Sequence, residues 1–497
     1  MKFIKKTLAY ILPAMMVLGS TTACSDFIDI DPENKVPEQS VDFTNKGNMY
    51  QPVVGVYSKV RTSAMHWANA LIMFTRDGDV WSGRTDDQGA AVDFGRHFNY
   101  TNSFWALNNV WVTFYEIIRT ANSALESLDG YAQYLTPGSS DYTTYETYCG
   151  EVRTIRAWAY YQLVTNFGPI VIYRDNYQTD FRRSNVNSVY DYMLEEDLSY
   201  AMEKLPRMRP NQMDHQGAVT AFTAEMLAAK IYLLKGDYAQ VETLTDDIIN
   251  NGNFSLYPDF YNLFKIPGKL CDESLFECQV TDYGNGSGDY LGVDQWFPFQ
   301  GTTIKDPETG TSLGGWNFIG YEPEFVAWAD ARGETVRAET SFLRAGQMTR
   351  EGWQVNETSG TMTDCWNGKA YLPYNQMTLP RTDYGANNNV RIFRYAEVLL
   401  MNSEAKIRQG KDGDSGYNLV RARAEMPTKS GVTLEDVLDE RRMELCNEWC
   451  NRYVDLVRTG KAATELGPKG WTEAKTYWPL PSNQLDDLPD LMLDPID

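Results

Sequence analysis

Apolar residues recur in steps of four and three through Leu107, Trp111, Phe114, Ile118, Ala121, Leu125 and Leu128, up to Asp129-Gly130. That spacing lays one apolar stripe along a 3.6-residue period and predicts a long amphipathic helix. A second stripe, Val152, Ile155, Ala159 and Leu163, is expected to end at Asn166-Phe167-Gly168-Pro169, where glycine and proline both break a helix. Trp111 and Trp158 sit on these periodic faces and are assigned to the core. Between Thr220 and Gly252 the pattern is clearest. Ala224, Leu227, Ile231 and Leu234 face one way, Lys235-Gly236-Asp237-Tyr238 makes a turn, and Val241, Leu244 and Ile248 resume before Asn250-Asn251-Gly252.

This helix, tight turn, helix unit with small residues at the crossing resembles a tetratricopeptide repeat. Two further helices are predicted around Ala396 to Ile407 and Leu434 to Val457, so the paired-helix part extends beyond one unit. Residues 279–322 differ in character: Gly284, Gly286, Gly288, Gly292, Gly301, Gly310, Gly314 and Gly315 exclude regular helix over most of the span. The expectation is a mainly α fold: tetratricopeptide-like helix pairs plus a loop-rich, irregular half, about residues 265–390, that carries the ligand site. Long loops inside a packed domain are usually functional.

Charge narrows the partners. The chain of 497 residues has 45 Lys plus Arg against 67 Asp plus Glu, a net charge of −22. Phosphate backbones are bound by neutralising them with cations, so nucleic acid is not expected as a partner, nor are anionic headgroups. Hydrophobic residues at 43% and charged residues at 23% permit a large core and argue against disorder. Only His66, His97 and His215 are present and no HExxH spacing occurs, so a His-rich metal site and zinc hydrolysis are not expected, and no metal ligand or cofactor is assigned. Aromatics reach 13%, including 13 Trp, and they are the compositional feature that bears on function.

Lys2, Lys5 and Lys6 precede an apolar run from Leu8 to Leu18, interrupted by Pro13 and followed by small residues and Cys24. That is a secretory signal layout, too short to span a bilayer. Thr21-Thr22-Ala23-Cys24 resembles a bacterial lipoprotein box, with Thr21 where leucine is usual, so Cys24 is assigned as the lipidated residue. The alternative is an ordinary signal peptide with Cys24 paired or free. The expected organisation is a signal peptide over 1–23, a lipidated acidic tether over 24–40, and one domain over 41–497. Loss of residues 1–23 removes three lysines, and −22 − 3 gives −25 for the remainder. In an oxidising compartment Cys271 and Cys278 are the expected disulfide. Cys446 and Cys450, one helical turn apart, read as core packing and not as a metal pair.

Separated blocks along the chain then agree with one family. They are Asp26-Phe27-Ile28-Asp29; Gly150-Glu151-Val152-Arg153-Thr154-Ile155-Arg156-Ala157-Trp158-Ala159-Tyr160-Tyr161; Tyr232-Leu233-Leu234-Lys235-Gly236-Asp237-Tyr238; Arg394-Tyr395-Ala396-Glu397-Val398-Leu399-Leu400-Met401-Asn402-Ser403-Glu404-Ala405; Asp439-Glu440-Arg441-Arg442-Met443-Glu444-Leu445; and Tyr477-Trp478-Pro479-Leu480-Pro481. Together they resemble the SusD/RagB family of surface glycan-binding lipoproteins. The family's Glu-Gly-x-Arg-aromatic-x-Asp-Leu block is one residue longer here, Glu448-Trp449-Cys450-Asn451-Arg452-Tyr453-Val454-Asp455-Leu456. The resemblance implies a lipid-anchored protein on the outer face of the outer membrane. Such a protein acts as a lid over a SusC-like TonB-dependent transporter, to which it hands oligosaccharides, and it is not an enzyme.

A polysaccharide offers flat C–H faces ringed by hydroxyls, so its binder needs exposed aromatic plates beside hydrogen-bonding groups. Two segments combine these residue types: His66-Trp67 through Arg84, and Tyr283 through Asn317. Trp81, Trp296 and Trp316, with Tyr283 and Tyr290, are the candidate platform; Arg84, Asp79 and Asp289 are the candidate hydroxyl partners. The competing reading is that each tryptophan plugs the core beneath its own loop. Glu440, Arg441, Arg442 and Glu444 are read as ion pairs on a solvent-facing or helix-pairing stretch, and Asp412-Gly413-Asp414-Ser415-Gly416 as an interhelix turn that lacks the glutamate closing a calcium loop. Two alternatives to glycan capture remain. The same lid could serve peptides, or the chain could be a secreted glycoside hydrolase, which needs two carboxylates about 5 to 9.5 Å apart.

Overall fold

The computed structural model describes residues 41–84, 86–281, 293–357, 364–379, 387–449 and 452–497. The expected signal peptide, the tether and Cys24 lie outside these residues, as do Tyr283, Asp289, Tyr290 and Cys450. The chain divides after Asn48. Of the first unit, residues 41–48 are described: the Asp42 carboxylate accepts from Thr44 N and Oγ1 at 3.0 and 2.6 Å and starts a turn into the short 3₁₀ helix Lys46–Asn48. Everything below concerns the second unit, Met49–Asp497.

That unit is mainly helical. Helix Trp105–Ala132 packs along helix Ser140–Phe167. The latter is central: from Cys149 to Phe167 every residue except Arg153 is buried. It begins earlier than its apolar stripe predicts, because Ser139 caps it by accepting from Tyr142 N at 3.2 Å. It ends at Gly168, as expected. Helices Ala221–Lys235 and Tyr238–Asn251 form the predicted pair, and Tyr395–Arg408 packs on the second of them. Gly236, at φ +74°, closes the first helix, and the Asp237 carboxylate caps the next by accepting from Gln240 N at 3.1 Å. Trp111 and Trp158 are core residues, and Asp412–Gly413 lies in the turn before helix Asp414–Arg423.

The irregular half contains short strands. Val80–Ser82, Ile319–Tyr321, Cys365–Asn367 and Phe342–Arg344 form an antiparallel sheet in that order, with Trp81 opposite Gly320 and Trp366 opposite both Gly320 and Leu343. Ser274–Cys278 pairs with Val390–Arg394. These pairings bring residues near 80 against residues near 320.

Two expectations are corrected. The predicted helix from Leu434 to Val457 is two helices, Leu434–Glu444 and Arg452–Arg458. Lys369 Nζ donates to the carbonyls of Glu444 and Cys446 at 2.9 and 3.0 Å, and Arg394 Nη2 donates to Glu444 at 3.1 Å, so side-chain cations replace the next turn of helix; Asn447 adopts φ +53°. Cys271 and Cys278 are not bonded to each other. Cys271 joins the cluster of Phe260, Leu263 and Phe264, whereas Cys278 ends a strand on a cavity wall.

The expected ion pairs of Glu440, Arg441 and Glu444 are present, and of the two placements expected the structure has the buried, helix-pairing one. Arg337 reaches Glu334 and Glu440 at 2.6 Å each and Glu444 at 3.4 Å. Arg394 reaches Glu273 at 2.5 Å, Glu448 at 2.6 Å and Glu444 at 3.0 Å. Burial raises the Glu444 carboxyl, but the Arg423, Arg394 and Arg337 guanidiniums outweigh it and hold the group at about 2. This lattice of charge ties the C-terminal helices to the irregular half.

Candidate functional site

The sequence-predicted site residues separate by environment. Trp81 is 1% exposed, in mid-strand, with the Arg96 guanidinium 5.2 Å above its ring. Arg96 is held there by Glu322 through bonds of 2.9 and 2.8 Å. The Gly- and Asp-rich segment around Trp81 is thus a strand edge and not an open loop, and Trp81 is a plug. Asp79 is buried between Arg442, 2.7 Å from its Oδ2, and Arg452 at 3.2 Å, so it holds helices together and does not face solvent. Trp296 is 4% exposed and stacks on Trp449 with centroids 5.7 Å apart and planes 5° from parallel. As positioned here, neither Trp81 nor Trp296 is an open plate.

Trp316 and Arg84 are at the surface. Trp316 is 36% exposed. It follows Gly315, where an added Cβ would lie 2.4 Å from the Thr302 carbonyl oxygen, so only glycine lets the two chain segments pass so closely. The next residues are tied down by backbone: Trp316 N donates to Pro298 O at 2.7 Å, Asn317 N to Gly301 O at 2.8 Å and Phe318 N to Phe299 O at 3.1 Å. Arg84 lies over the Phe318 ring at 5.6 Å, donates to Trp316 O at 3.5 Å and pairs with Asp86 at 2.5 Å.

Around this plate the structure adds two tryptophans. Phe299, fully buried, contacts Trp316 edge-on at 6.4 Å, stacks on Phe318 at 5.0 Å and meets Trp67 at 5.4 Å. Trp67 in turn meets Trp105 at 5.9 Å, and Trp105 is 42% exposed. Trp105, Trp67 and Trp316 therefore line one aromatic rim around a buried phenylalanine. His66 stands at its edge, 5.5 Å from Trp67, and accepts from Ala68 N at 3.2 Å. Burial lowers the His66 pKa, which favours the neutral ring.

Trp67 lies within a segment the sequence singled out; Trp105 does not. Its signal was available. Trp105 stands two residues before Leu107, about 200° around the helix at 100° per residue, hence opposite the apolar stripe. A large aromatic there has no core to enter.

The rim suits a ligand with flat apolar faces. Glycosidic cleavage needs a carboxylic acid whose pKa is raised. The carboxyl paired with Arg84 at the rim, Asp86, is shifted the other way, lowered by its hydrogen bond to Arg84.

Comparison with known proteins agrees with this framework. A profile of the SusD family matches residues 249–479, and a second, described as starch-binding associating with outer membrane, matches residues 26–233. The chain belongs to the SusD family. A SusD-like protein of Bacteroides ovatus is 24% identical over 409 residues, covering 76% of this chain and 70% of that protein. SusD-like protein P38 of Formosa agariphila is 23% identical over 517 residues, covering 96% of each. Among solved structures, surface glycan-binding protein A from Bacteroides thetaiotaomicron, in complex with laminarihexaose, is similar with a TM-score of 0.72 at 20% identity, over 90% of this chain and 98% of that one. A laminarin-binding SusD-like protein gives a TM-score of 0.74 at 22% identity, over 90% and 98%. Structural likeness at this identity establishes the SusD-like fold. Within it, the blocks that carry the family resemblance are framework: Arg156 pairs with the buried Asp197 at 2.5 Å, and Arg394 and Glu444 belong to the buried charge lattice.

Proposed function

We propose that this SusD-family chain is a non-catalytic, lipid-anchored cell-surface protein that captures oligosaccharides or polysaccharides and delivers them to a TonB-dependent transporter. The observation that carries the reading is the rim of Trp105, Trp67 and Trp316 around Phe299, with two of its plates more than a third exposed. Large aromatics are normally buried, and pyranose C–H faces stack on such plates while Arg84 is placed to donate to hydroxyls. Similar proteins described as binding laminarin or laminarihexaose support the choice of glycan. The secretory layout, Cys24 and the family description naming the outer membrane support the location. No helix among the described residues is long and apolar enough to cross a membrane. The boundaries at 23 and 40, the irregular ligand-carrying half over 265–390 and the transporter partner are parts of the same proposal.

Calorimetry against a panel of plant and host polysaccharides tests it. One class is expected to bind, with affinity falling at least tenfold in Trp316→Ala and in Trp105→Ala while the unfolding midpoint holds. Binding of a peptide mixture with silence across the glycans would replace the ligand and keep the lid. Turnover of any bound oligosaccharide would overturn the non-catalytic reading. Mass spectrometry of the membrane-extracted protein should find a diacylglyceryl group on Cys24, and affinity purification should recover an outer-membrane β-barrel with it.

A further inference from the structure

A cavity of about 340 Å³ lies between the helical stretch 50–61, the loop 215–218 and the strand Ser274–Cys278 with Gln279. It is separate from the rim residues and within the size range of small-molecule sites. Its broad wall is apolar: Tyr50, Val54, Tyr57, Val60 and Phe276. The wall is fixed from behind. Tyr57 and Tyr50 hydroxyls both donate to the buried Glu151 carboxyl, at 2.9 and 3.3 Å, Tyr57 Oη accepts from Val219 N at 2.9 Å, and the Tyr50 ring stacks on exposed His215 at 3.6 Å and 5°.

The lining holds a carboxylate that is already engaged and an amide donor that is open. Both tyrosine hydroxyls are engaged by Glu151. The Glu277 carboxylate accepts from Leu270 N at 3.1 Å and Asn389 Nδ2 at 2.8 Å. Gln279 Oε1 accepts from Asn389 Nδ2 at 3.1 Å, which leaves its Nε2 buried with no hydrogen-bond partner among the described residues. Gly217, at φ +89°, leaves room for that amide: a Cβ there would lie 2.1 Å from Nε2. Arg61 contributes a cation to the same lining. A buried donor without an acceptor is costly, and a donor amide beside a guanidinium selects an anion rich in acceptor oxygens. The aromatic wall selects a ring.

We propose that this cavity binds a small ring-bearing carboxylate, with the carboxylate on Arg61 and Gln279 Nε2 and the ring against Tyr50 and Phe276. A hexuronate sugar and an aromatic acid share that chemistry. The site is independent of the glycan reading of the rim. Ligand-observed NMR with sodium glucuronate, sodium benzoate and glucose on the purified protein tests it, with His215 ring resonances reporting occupancy of the wall. At least one acid is expected to bind tenfold or more tightly than glucose and to shift His215; the stronger of the glucuronate and benzoate arms names the source. Arg61→Met and the near-isosteric Gln279→Leu should each weaken it tenfold at an unchanged unfolding midpoint, and Trp105→Ala should leave it intact. Failure of both acids to bind, equal affinity for glucose and glucuronate, or binding untouched by Gln279→Leu would overturn the assignment.

Discussion

Two regions of this molecule concentrate chemically capable side chains, and they use them in opposite ways. In the charge lattice around Arg337, Arg394 and Glu444, almost every group is buried and meets a partner of opposite sign. At the aromatic rim, Trp105 and Trp316 expose more than a third of their surface, and among the described residues no charge lattice surrounds them. Saturated groups inside a core stabilise an arrangement; groups left open at the surface are available to something else. The contrast shows that satisfaction, more than residue type, separates framework from site.

The largest expected effect comes from opening the lattice. Arg337→Met leaves Glu334, Glu440 and Glu444 buried with one fewer cation among them. Stranding buried charge costs about 3–5 kcal/mol, so chemical denaturation should show a loss of that order. The next comparison sets two tryptophans side by side. Trp81→Ala removes a plug that is 1% exposed, and a loss of about 3–5 kcal/mol is expected, whereas Trp316→Ala should lose less than about 1 kcal/mol and act on ligand affinity instead. Equal stability losses in the two variants would erase the distinction between plug and plate.

A further effect is readable in pH. Burial pushes the Glu151 carboxyl up to about 8, against the lowering hydrogen bonds from Tyr57 and Tyr50. A folded value above the unfolded one means the native state binds the proton more tightly. This contribution is therefore complete below about 4.5 and is lost as pH rises to about 8. Glu151→Gln, which mimics the protonated group, should flatten that part of the wild-type stability profile between pH 5 and 8. The smallest effect is at the surface: Arg84→Gln removes an exposed pair with Asp86 and should leave the unfolding midpoint where it was.

The helices were legible because their apolar residues keep one period over many turns, as from Leu107 to Leu128. What the sequence hid depends on contacts distant along the chain. Trp81 and Trp316 both occupy Gly-rich segments, yet only Trp81 sits in a strand that pairs with Ile319–Tyr321, more than 200 positions away. Asp79 reads locally as a polar loop residue and is claimed by Arg442 and Arg452 from the far end of the chain. The break after Glu444 has no local breaker; Lys369 and Arg394 impose it. Trp105 could have been found by asking which aromatics lie off the apolar stripe.

The backbone bonds that hold residues 316–318 to 298–301 ask nothing of the side chains involved. The plate's position is therefore uncoupled from the plate's identity. With Gly315 retained, position 316 can exchange tryptophan for another side chain without the loop being rebuilt. Under the proposed role in glycan capture, such a socket would let a lineage change its diet by single substitutions at the rim while the charged scaffold beneath stays constant.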